Sequence, residues 1–166
     1  MSIQINQKLD DFTLPSVKQQ EISEFSLYEF LRRQQSQNAN FKGFVLFFYP
    51  KDQSKCCITE VQSFAALYAD FLQNGVEIVG ISRDSVKSHQ NFATKQNIPF
   101  AILSDQNQQL CDTFAVIIPK IIFGKQVFGV ERCTFFISAD AKIIQQWRKV
   151  KTPGHAENVL NFVKNL

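Results

Sequence analysis

The chain has 166 residues, of which 45% are hydrophobic and 20% are charged. This size and composition are typical of one soluble globular domain with a substantial core. The net charge of +3 is too small, and too evenly spread, to indicate nucleic-acid binding. No apolar run approaches the length that spans a bilayer, and no secretory signal is visible at the N-terminus. We therefore expect a single cytoplasmic domain over residues 1–166, with no nucleic-acid or membrane partner.

Strand and helix patterns alternate from Gly43 onward. The sequence predicts, in chain order, strand, helix, strand, helix, strand and helix over residues 43–49, 58–73, 76–81, 85–96, 100–103 and 107–114. Three further strands follow at residues 126–130, 133–138 and 142–148, before a final helix that Pro153-Gly154 opens. Residues 1–40 have no clear pattern, and the glutamine-rich segment 33–40 is predicted to be a surface loop.

The order of these elements predicts an α/β fold. Strands that are separated by helices favour parallel pairing through right-handed crossovers. The later strands are joined by short turns, which favour antiparallel pairing. We therefore expect a mixed central β-sheet with helices on both faces.

The segment that joins the first of these strands to its helix carries the strongest chemical signal. An apolar strand runs into Pro50, which ends it because proline has no N–H for the sheet. A short polar loop with a hydroxyl at Ser54 then leads to Cys57, near the predicted start of the helix. Unpaired N–H groups and the helix dipole favour an anion there, so they stabilise the thiolate, which is the reactive form of cysteine. The sequence thus predicts an activated sulfur nucleophile at Cys57.

The same residues match a known family. Pro50, Ser54 and Cys57 fit the pattern Pro-x-x-x-Thr/Ser-x-x-Cys of the peroxiredoxins, and their flanks resemble the bacterioferritin comigratory protein (Q-type) branch. Further blocks resemble that branch in the same order, at residues 80–89, 103–105, 129–135 and 147–156. The resemblance covers the chain from roughly the early thirties to the C-terminus. It implies a thioredoxin-like fold and a thiol-dependent peroxidase that reduces hydrogen peroxide and organic hydroperoxides.

The resemblance also implies roles for individual residues. Cys57 would attack a peroxide oxygen and become a sulfenic acid. The Ser54 hydroxyl would hydrogen-bond the thiolate or the peroxide, and Pro50 would shield the pocket from water. Arg132 would stabilise the thiolate and hold the peroxide oxygens, since arginine stays charged and presents a fork of donors. The plainer alternatives are a helix-capping serine, a strand-ending proline and a surface arginine.

Other polar residues receive supporting or structural roles. Glu60 is expected to orient Arg132 or to support the first helical turn, and Tyr49 to form a wall of the pocket. His89 and His155 are expected to make surface hydrogen bonds or caps. The four cysteines and two histidines have no metal-ligand spacing, and no phosphate-binding loop, haem signal or flavin signal is visible. We therefore expect no metal and no cofactor.

The chain departs from the branch at the resolving cysteine. Many Q-type members carry glycine at the position of Cys56 and a resolving cysteine five residues after the peroxidatic one, where this chain has Gln62. A second known placement corresponds to Ala93. Adjacent Cα atoms lie about 3.8 Å apart, which is short of the roughly 4.4–6.8 Å of ordinary disulfides, so a bridge from Cys56 to its neighbour would be strained. Cys111 and Cys133 are expected to pack in the core.

These absences favour a one-cysteine mechanism, with an external thiol that reduces Cys57. Thioredoxin, glutaredoxin and glutathione are the candidate reductants, and we expect a monomer or a weak dimer. An alternative function is a peroxide sensor or thiol relay that passes the oxidation of Cys57 to a partner protein. A thioredoxin-like disulfide reductase is disfavoured because the chain has no Cys-x-x-Cys.

Overall fold

The computed structural model describes residues 3–166, which form nine strands and six helices. The strands are β1 (Thr13–Lys18), β2 (Glu21–Ser26), β3 (Gly43–Phe48), β4 (Val76–Ser82), β5 (Ala101–Ser104), β6 (Ile117–Ile122), β7 (Lys125–Val130), β8 (Cys133–Ser138) and β9 (Ile143–Trp147). The helices are α1 (Leu27–Gln37), α2 (Lys55–Ala66), α3 (Tyr68–Gln73), α4 (Val86–Gln96), α5 (Gln109–Thr113) and α6 (His155–Lys164).

Seven of the described strands form one mixed sheet, in the order β2-β1-β5-β4-β3-β8-β9. Strands β3, β4 and β5 are parallel, because helices form the crossovers between them. Strand β8 pairs antiparallel with β3, and β9 pairs antiparallel with β8. Strands β1 and β2 extend the other edge in antiparallel fashion. The predicted mixture of parallel and antiparallel pairing is confirmed.

Two hydrophobic cores lie on the two faces of this sheet. One contains residues of α1 and α5, and the other contains residues of α2, α3, α4 and α6. Strand β3 is buried along its whole length, and its side chains enter the two cores alternately. Phe44 and Leu46 belong to the first core, whereas Val45 and Phe47 belong to the second. Helices therefore cover both faces, as predicted, and β3 reads as a continuous apolar run for this reason.

Two sequence predictions are wrong in detail. Helix α1 continues to Gln37, through much of the predicted surface loop, because glutamine and arginine are good helix formers and Phe30 and Leu31 anchor the helix in the core. The predicted helix over residues 58–73 begins at Lys55 and is interrupted at Leu67, whose backbone leaves the helical conformation.

Strand β6 and the hairpin of β1 and β2 were not predicted. Strands β6 and β7 form a separate two-stranded ribbon outside the main sheet. Pro119 lies within β6 opposite Phe128. Proline weakens the prediction of a strand, but it is tolerated here because each strand of an isolated ribbon has a free edge.

Candidate active site

The loop after β3 delivers Cys57 to the first turn of a helix. Tyr49 still bonds the main sheet, since its N–H donates to the Ile81 carbonyl (3.1 Å), and Pro50 follows it directly. Ser54 occupies the N-cap position of α2 with extended backbone angles, and its carbonyl accepts the first helical bond, from the Ile58 N–H (2.9 Å). Cys57 therefore lies in the turn whose N–H groups have no helical partner, as the sequence predicts.

Arg132 connects Cys57 to Glu60. This arginine lies between β7 and β8, and its Nη2 donates to the Cys57 sulfur (3.4 Å). Its Nη1 donates to Glu60 Oε1 (2.7 Å). Glu60 follows Cys57 at i+3, so both side chains project from the same face of α2. One guanidinium thus holds a carboxylate with one nitrogen and presents another nitrogen to the sulfur.

Burial and the contact between Glu60 and Arg132 shift the pKa values of these two charged groups. Cys57 has no exposed surface, and Glu60 is 1% exposed. Burial raises the pKa of Glu60 to about 7, although the Arg132 guanidinium opposes the shift. Burial also disfavours the charge on Arg132, but Glu60 and the Cys57 sulfur outweigh it and leave the pKa of Arg132 above its ordinary value. Glu60 Oε2 is buried and accepts no hydrogen bond from the described residues.

The hydroxyls of Ser54 and Tyr49 bond other residues of the loop itself. The Ser54 hydroxyl donates to the Lys51 carbonyl (3.2 Å) rather than to the Cys57 sulfur, and it makes no side-chain cap of α2. Tyr49 is fully buried, and its hydroxyl donates to Asp52 Oδ1 (2.7 Å). Burial raises the pKa of Tyr49 well above its ordinary value, so this hydroxyl remains a donor. Pro50 is partly exposed. Tyr49 thus supports the loop from within the core.

A buried polar network beneath the loop was not predicted. Asp52 is 4% exposed, and its Oδ2 accepts from the Ser88 hydroxyl (2.7 Å) and lies 2.7 Å from His89 Nδ1. His89 Nε2 lies 2.9 Å from the Leu103 carbonyl, which can only accept, so Nε2 carries a proton. Asp52 and His89 Nδ1 must then share one further proton between them. The pair anchors the cysteine loop to α4 and β5.

Both histidines are buried, so the expectation of surface histidines is wrong. His89, Phe92 and Ala93 lie at i, i+3 and i+4 on the buried face of α4, and this spacing was the available signal. His155 begins α6, and its Nε2 lies 2.8 Å from the Thr134 hydroxyl. Burial, aided by the nearby charge of Arg132, lowers the pKa of His155 to about 4. It is therefore neutral at pH 7.

The remaining cysteines are free and differ in exposure. Cys56 is exposed, whereas Cys111 and Cys133 have no exposed surface. Burial raises the pKa of Cys133 to about 12, and burial also raises the pKa of Cys111 well above its ordinary value. At the two expected resolving positions, the Gln62 side chain donates to Gln96 Oε1 (2.8 Å) and Ala93 is buried in α4.

The fold is that of a family with many known members. Residues 5–146 match the AhpC/TSA family, and the chain belongs to it. The structure is similar to that of a cysteine-to-serine mutant of Xylella fastidiosa PrxQ, with a TM-score of 0.84, 36% identity, and coverage of 99% of this chain and 98% of that one. It is also similar to Xanthomonas campestris Peroxiredoxin Q, with a TM-score of 0.79, 41% identity, and coverage of 93% and 90%. The predicted thioredoxin-like fold is confirmed.

Sequence relatives place the chain within one branch. It is 49% identical over 120 residues to Peroxiredoxin Bcp of Xanthomonas campestris pv. campestris, which covers 72% of this chain and 75% of the relative. It is 38% identical over 160 residues to a putative peroxiredoxin bcp of Coxiella burnetii, which covers 96% and 98%. The predicted Bcp, or Q-type, branch and the predicted thiol-dependent peroxidase are therefore confirmed.

Proposed function

We propose that Cys57 is the peroxidatic residue of this peroxidase and that peroxide oxidises it to a sulfenic acid. The proposal rests mainly on the contact between Arg132 Nη2 and the Cys57 sulfur (3.4 Å), in the first turn of α2. A permanent positive charge and free N–H groups both favour the thiolate. Glu60 holds the guanidinium in place through a 2.7 Å contact and is a positioning residue in this proposal.

The reaction transfers two electrons from sulfur to the peroxide. The Cys57 thiolate attacks one oxygen of ROOH, an S–O bond forms, and the O–O bond breaks. The leaving oxygen takes a proton and departs as water or an alcohol, while the sulfur retains the other oxygen as the sulfenic acid. The Arg132 donors stabilise the negative charge that develops on the peroxide oxygens. Ser54 and Pro50 would shape the approach to the sulfur, and the Ser54 hydroxyl must leave the Lys51 carbonyl in order to bond the peroxide.

We propose that an external thiol completes the cycle. One thiol displaces water from the sulfenic acid and forms a mixed disulfide, and a second thiol releases Cys57. The buried Cys111 and Cys133, and the absence of cysteine at positions 62 and 93, support this one-cysteine mechanism. Thioredoxin, glutaredoxin and glutathione are the candidate reductants, and each should be tested in a turnover assay.

Hydrogen peroxide and organic hydroperoxides are the proposed substrates. A solved structure of the Xanthomonas campestris bacterioferritin comigratory protein is described in terms of its alkyl peroxide reduction activity, and it covers 93% of this chain at 40% identity. We propose the cytoplasm as the location, because thiol reductants are abundant there and the four cysteines are free. Among residues 3–166, no helix has both the length and the apolar character to cross a bilayer.

Mass spectrometry after one equivalent of hydrogen peroxide tests the proposal. We expect a sulfenic acid on Cys57 that dimedone traps, and excess peroxide should drive the sulfur on to sulfinic acid. A dominant bridge from Cys57 to Cys111 or to Cys56 would overturn the one-cysteine mechanism but not the role of Cys57. Full turnover with Cys57 unmodified would overturn that role.

A peroxide sensor is the second candidate, because a chain without a resolving cysteine retains its oxidised form longer. The turnover assay with the three reductants separates the two functions. Stoichiometric oxidation of Cys57 without turnover by any of them would favour the sensor, whereas repeated turnover would exclude it.

A further inference from the structure

The ribbon of β6 and β7 exposes an unusual amount of apolar surface. Ile121 is 72% exposed, Phe123 is 101% exposed and Phe128 is 60% exposed, and Ile122 and Val127 are exposed to a smaller extent. The two strands pair only with each other and do not join the main sheet. An isolated two-stranded ribbon is marginally stable in water, and a contiguous apolar surface of this kind usually marks a binding site.

The tip of the ribbon is the clearest anomaly. Ile122 pairs with Lys125, so Phe123-Gly124 forms a two-residue turn, in which both residues have positive φ (51° and 76°). Such turns favour Asn-Gly or Asp-Gly, because a large side chain is strained at positive φ. Phe123 is thus neither suited to its backbone conformation nor buried by the chain. The packing of the described residues therefore gives no reason for a phenylalanine at this position, and a contact outside the chain would supply one.

The two faces of the ribbon differ in chemistry. The strand register places Pro119 opposite Phe128 and Ile121 opposite Gln126, on one face. We call this surface, with Phe123 at its tip, the apolar face. The other face carries Lys120 opposite Val127 and Lys125 opposite Ile122, and the aliphatic stem of Lys120 covers Gly129. Basic and apolar side chains therefore share this second face, whereas the apolar face carries no charge.

The charge of the ribbon has one sign. Residues 113–130 contain two lysines and no acidic residue. Lys120 Nζ donates to the Val130 carbonyl (3.2 Å), and Lys125 is exposed. Lysines that flank an apolar insertion can extend their charge to lipid phosphates while their stems remain in the interface. This combination complements a membrane surface that bears anionic headgroups.

From this geometry we propose that the ribbon of β6 and β7 docks the protein onto an anionic lipid surface, with the apolar face and Phe123 in the interfacial region. A second copy of the chain is a poorer occupant. In a two-fold interface the same surface meets itself, so two ribbons of like positive charge would be brought together, with no acidic residue on either ribbon to neutralise that charge. The proposal revises the expectation, drawn from composition, that no membrane is involved.

Docking would also orient the active site. The ribbon ends at Val130, directly before Glu131-Arg132. Arg83 fixes it further, because Nη2 donates to the Phe128 carbonyl (3.2 Å) while Nη1 donates to Gln108 Oε1 (2.6 Å). Arg83 and Gln108 follow β4 and β5, at the carboxyl ends of the parallel strands, which is also the end of the sheet where β3 leads to Cys57.

The docked position also suggests a substrate class, and this suggestion rests on the proposed peroxidatic function of Cys57. Hydroperoxides of membrane lipids are the substrate class that a docked enzyme would meet. The chemistry is the same as for other organic hydroperoxides: the lipid –OOH group gives one oxygen to Cys57, and the lipid alcohol leaves. The docking itself does not depend on that chemistry.

Vesicle flotation tests the docking. We expect the wild-type chain to bind vesicles of phosphatidylglycerol and phosphatidylcholine, and to bind phosphatidylcholine alone more weakly. Phe123→Asn should lower the affinity about tenfold, and it should not impair folding, because asparagine suits this turn. The double change of Lys120 and Lys125 to glutamine should lower the affinity for anionic vesicles roughly thirtyfold. Ile22→Ser, in a residue of β2 that is 57% exposed, is the matched control and should bind like the wild type.

A second measurement locates the tip. Brominated lipids should quench the tryptophan fluorescence of Phe123→Trp. The wild-type chain, whose single tryptophan is Trp147, gives the background fluorescence. Phe123→Asn should reduce the turnover of phospholipid hydroperoxide in vesicles but not that of hydrogen peroxide in solution.

The docking would be overturned if the wild type did not bind anionic vesicles, or if the wild type and Phe123→Asn bound them equally. Self-association that Phe123→Asn abolishes, with no vesicle binding by either protein, would instead assign the apolar face to a second copy of the chain. Failure of the proposed chemistry is distinguishable, because Cys57→Ser should bind vesicles like the wild type whether or not Cys57 reacts with peroxide.

Discussion

Cys57 and Cys133 each lie beside an arginine and a glutamate, which permits a comparison within one molecule. Arg132 donates to the Cys57 sulfur at 3.4 Å, and Arg148 Nη1 approaches the Cys133 sulfur at 3.9 Å. The carboxylates differ in their role. Glu60 accepts from its arginine, whereas the second carboxylate, that of Glu131, accepts from the cysteine thiol itself (3.6 Å). The same three residue types therefore make two different sites.

The arginines differ in what else they bind. Arg148 donates to the carbonyls of Phe114 (2.8 Å) and Ala115 (3.1 Å), and its guanidinium lies over the Phe135 ring. Its donors thus satisfy buried backbone groups. Among the hydrogen bonds of the described residues, the Arg132 guanidinium donates only to Glu60 and Cys57. An arginine stabilises a thiolate only to the extent that its donors are not directed elsewhere.

The backbone adds to this difference. Cys57 lies in the first turn of α2, whereas Cys133 begins β8, where no comparable dipole acts. A thiol that donates to a carboxylate is held in its protonated form, and burial raises the pKa of Cys133 to about 12. Arrangement, rather than residue type, therefore separates a candidate nucleophile from an inert core cysteine.

Replacing each of the two cysteines with serine should give the largest difference in peroxidase activity. Cys57→Ser should abolish peroxide consumption, because a serine hydroxyl is not deprotonated at neutral pH. Cys133→Ser should retain most of it, as should Cys56→Ser and Cys111→Ser. Steady-state turnover with each candidate reductant measures this, and an active Cys57→Ser protein would show that the reaction occurs elsewhere.

Replacing each of the two arginines with methionine should separate an effect on the reaction rate from an effect on stability. Arg132→Met should slow single-turnover oxidation of Cys57 by about 10²–10³, the usual effect of removing one donor to a developing charge. Arg148→Met should leave that rate nearly unchanged but lower the free energy of unfolding by about 1.5–3 kcal/mol, because it leaves backbone carbonyls unpaired. Stopped-flow oxidation and urea unfolding give the two readouts. Equal rates for the wild type and Arg132→Met would contradict the proposed role.

Glu60 should make stability depend on pH in a particular direction. Because burial raises the pKa of Glu60 from 4.5 to about 7, the folded protein retains a proton in this range that the unfolded chain has released. Unfolding then releases a proton, so rising pH lowers stability. The difference in unfolding free energy between the wild type and Glu60→Gln should fall by about 1–3 kcal/mol as the pH rises from 4.5 to 7, and stay constant above it. A rising difference would mean that the ion pair with Arg132 outweighs burial.

In the native protein, Cys133 should react least with a thiol reagent. Brief treatment with iodoacetamide at neutral pH should alkylate Cys56, which is exposed, and leave Cys133 and Cys111 unmodified, because both are buried and have raised pKa values. Peptide mass spectrometry compares the sites, with urea-unfolded protein as the control for intrinsic reactivity. Rapid labelling of Cys133 in the folded protein would show that its region opens.

The sequence by itself determined the parts of this protein that depend on neighbouring residues. The apolar run of β3, the proline that ends it and the helix that follows are local features, so Cys57 could be placed at a helix start from periodicity and backbone chemistry. Propensity and spacing also indicated the parallel core strands and the burial of Cys111 and Cys133. The partnership of Arg132 with Cys57 was expected only from the resemblance, because the two residues lie 75 positions apart.

Only the tertiary structure decided which partner each polar group takes. Strand β8 pairs with β3 so that Cys133 lies opposite Phe48, and this register brings Arg132 to the end of the sheet where Cys57 emerges. Asp52 meets His89 and Ser88 across 37 and 36 positions, and neither contact leaves a periodic signal in the sequence. Arg148 and Arg132 look alike as residues, but their donors meet different acceptors. Hydrogen bonds are short-ranged and directional, so their pairing follows from the packed fold rather than from local pattern.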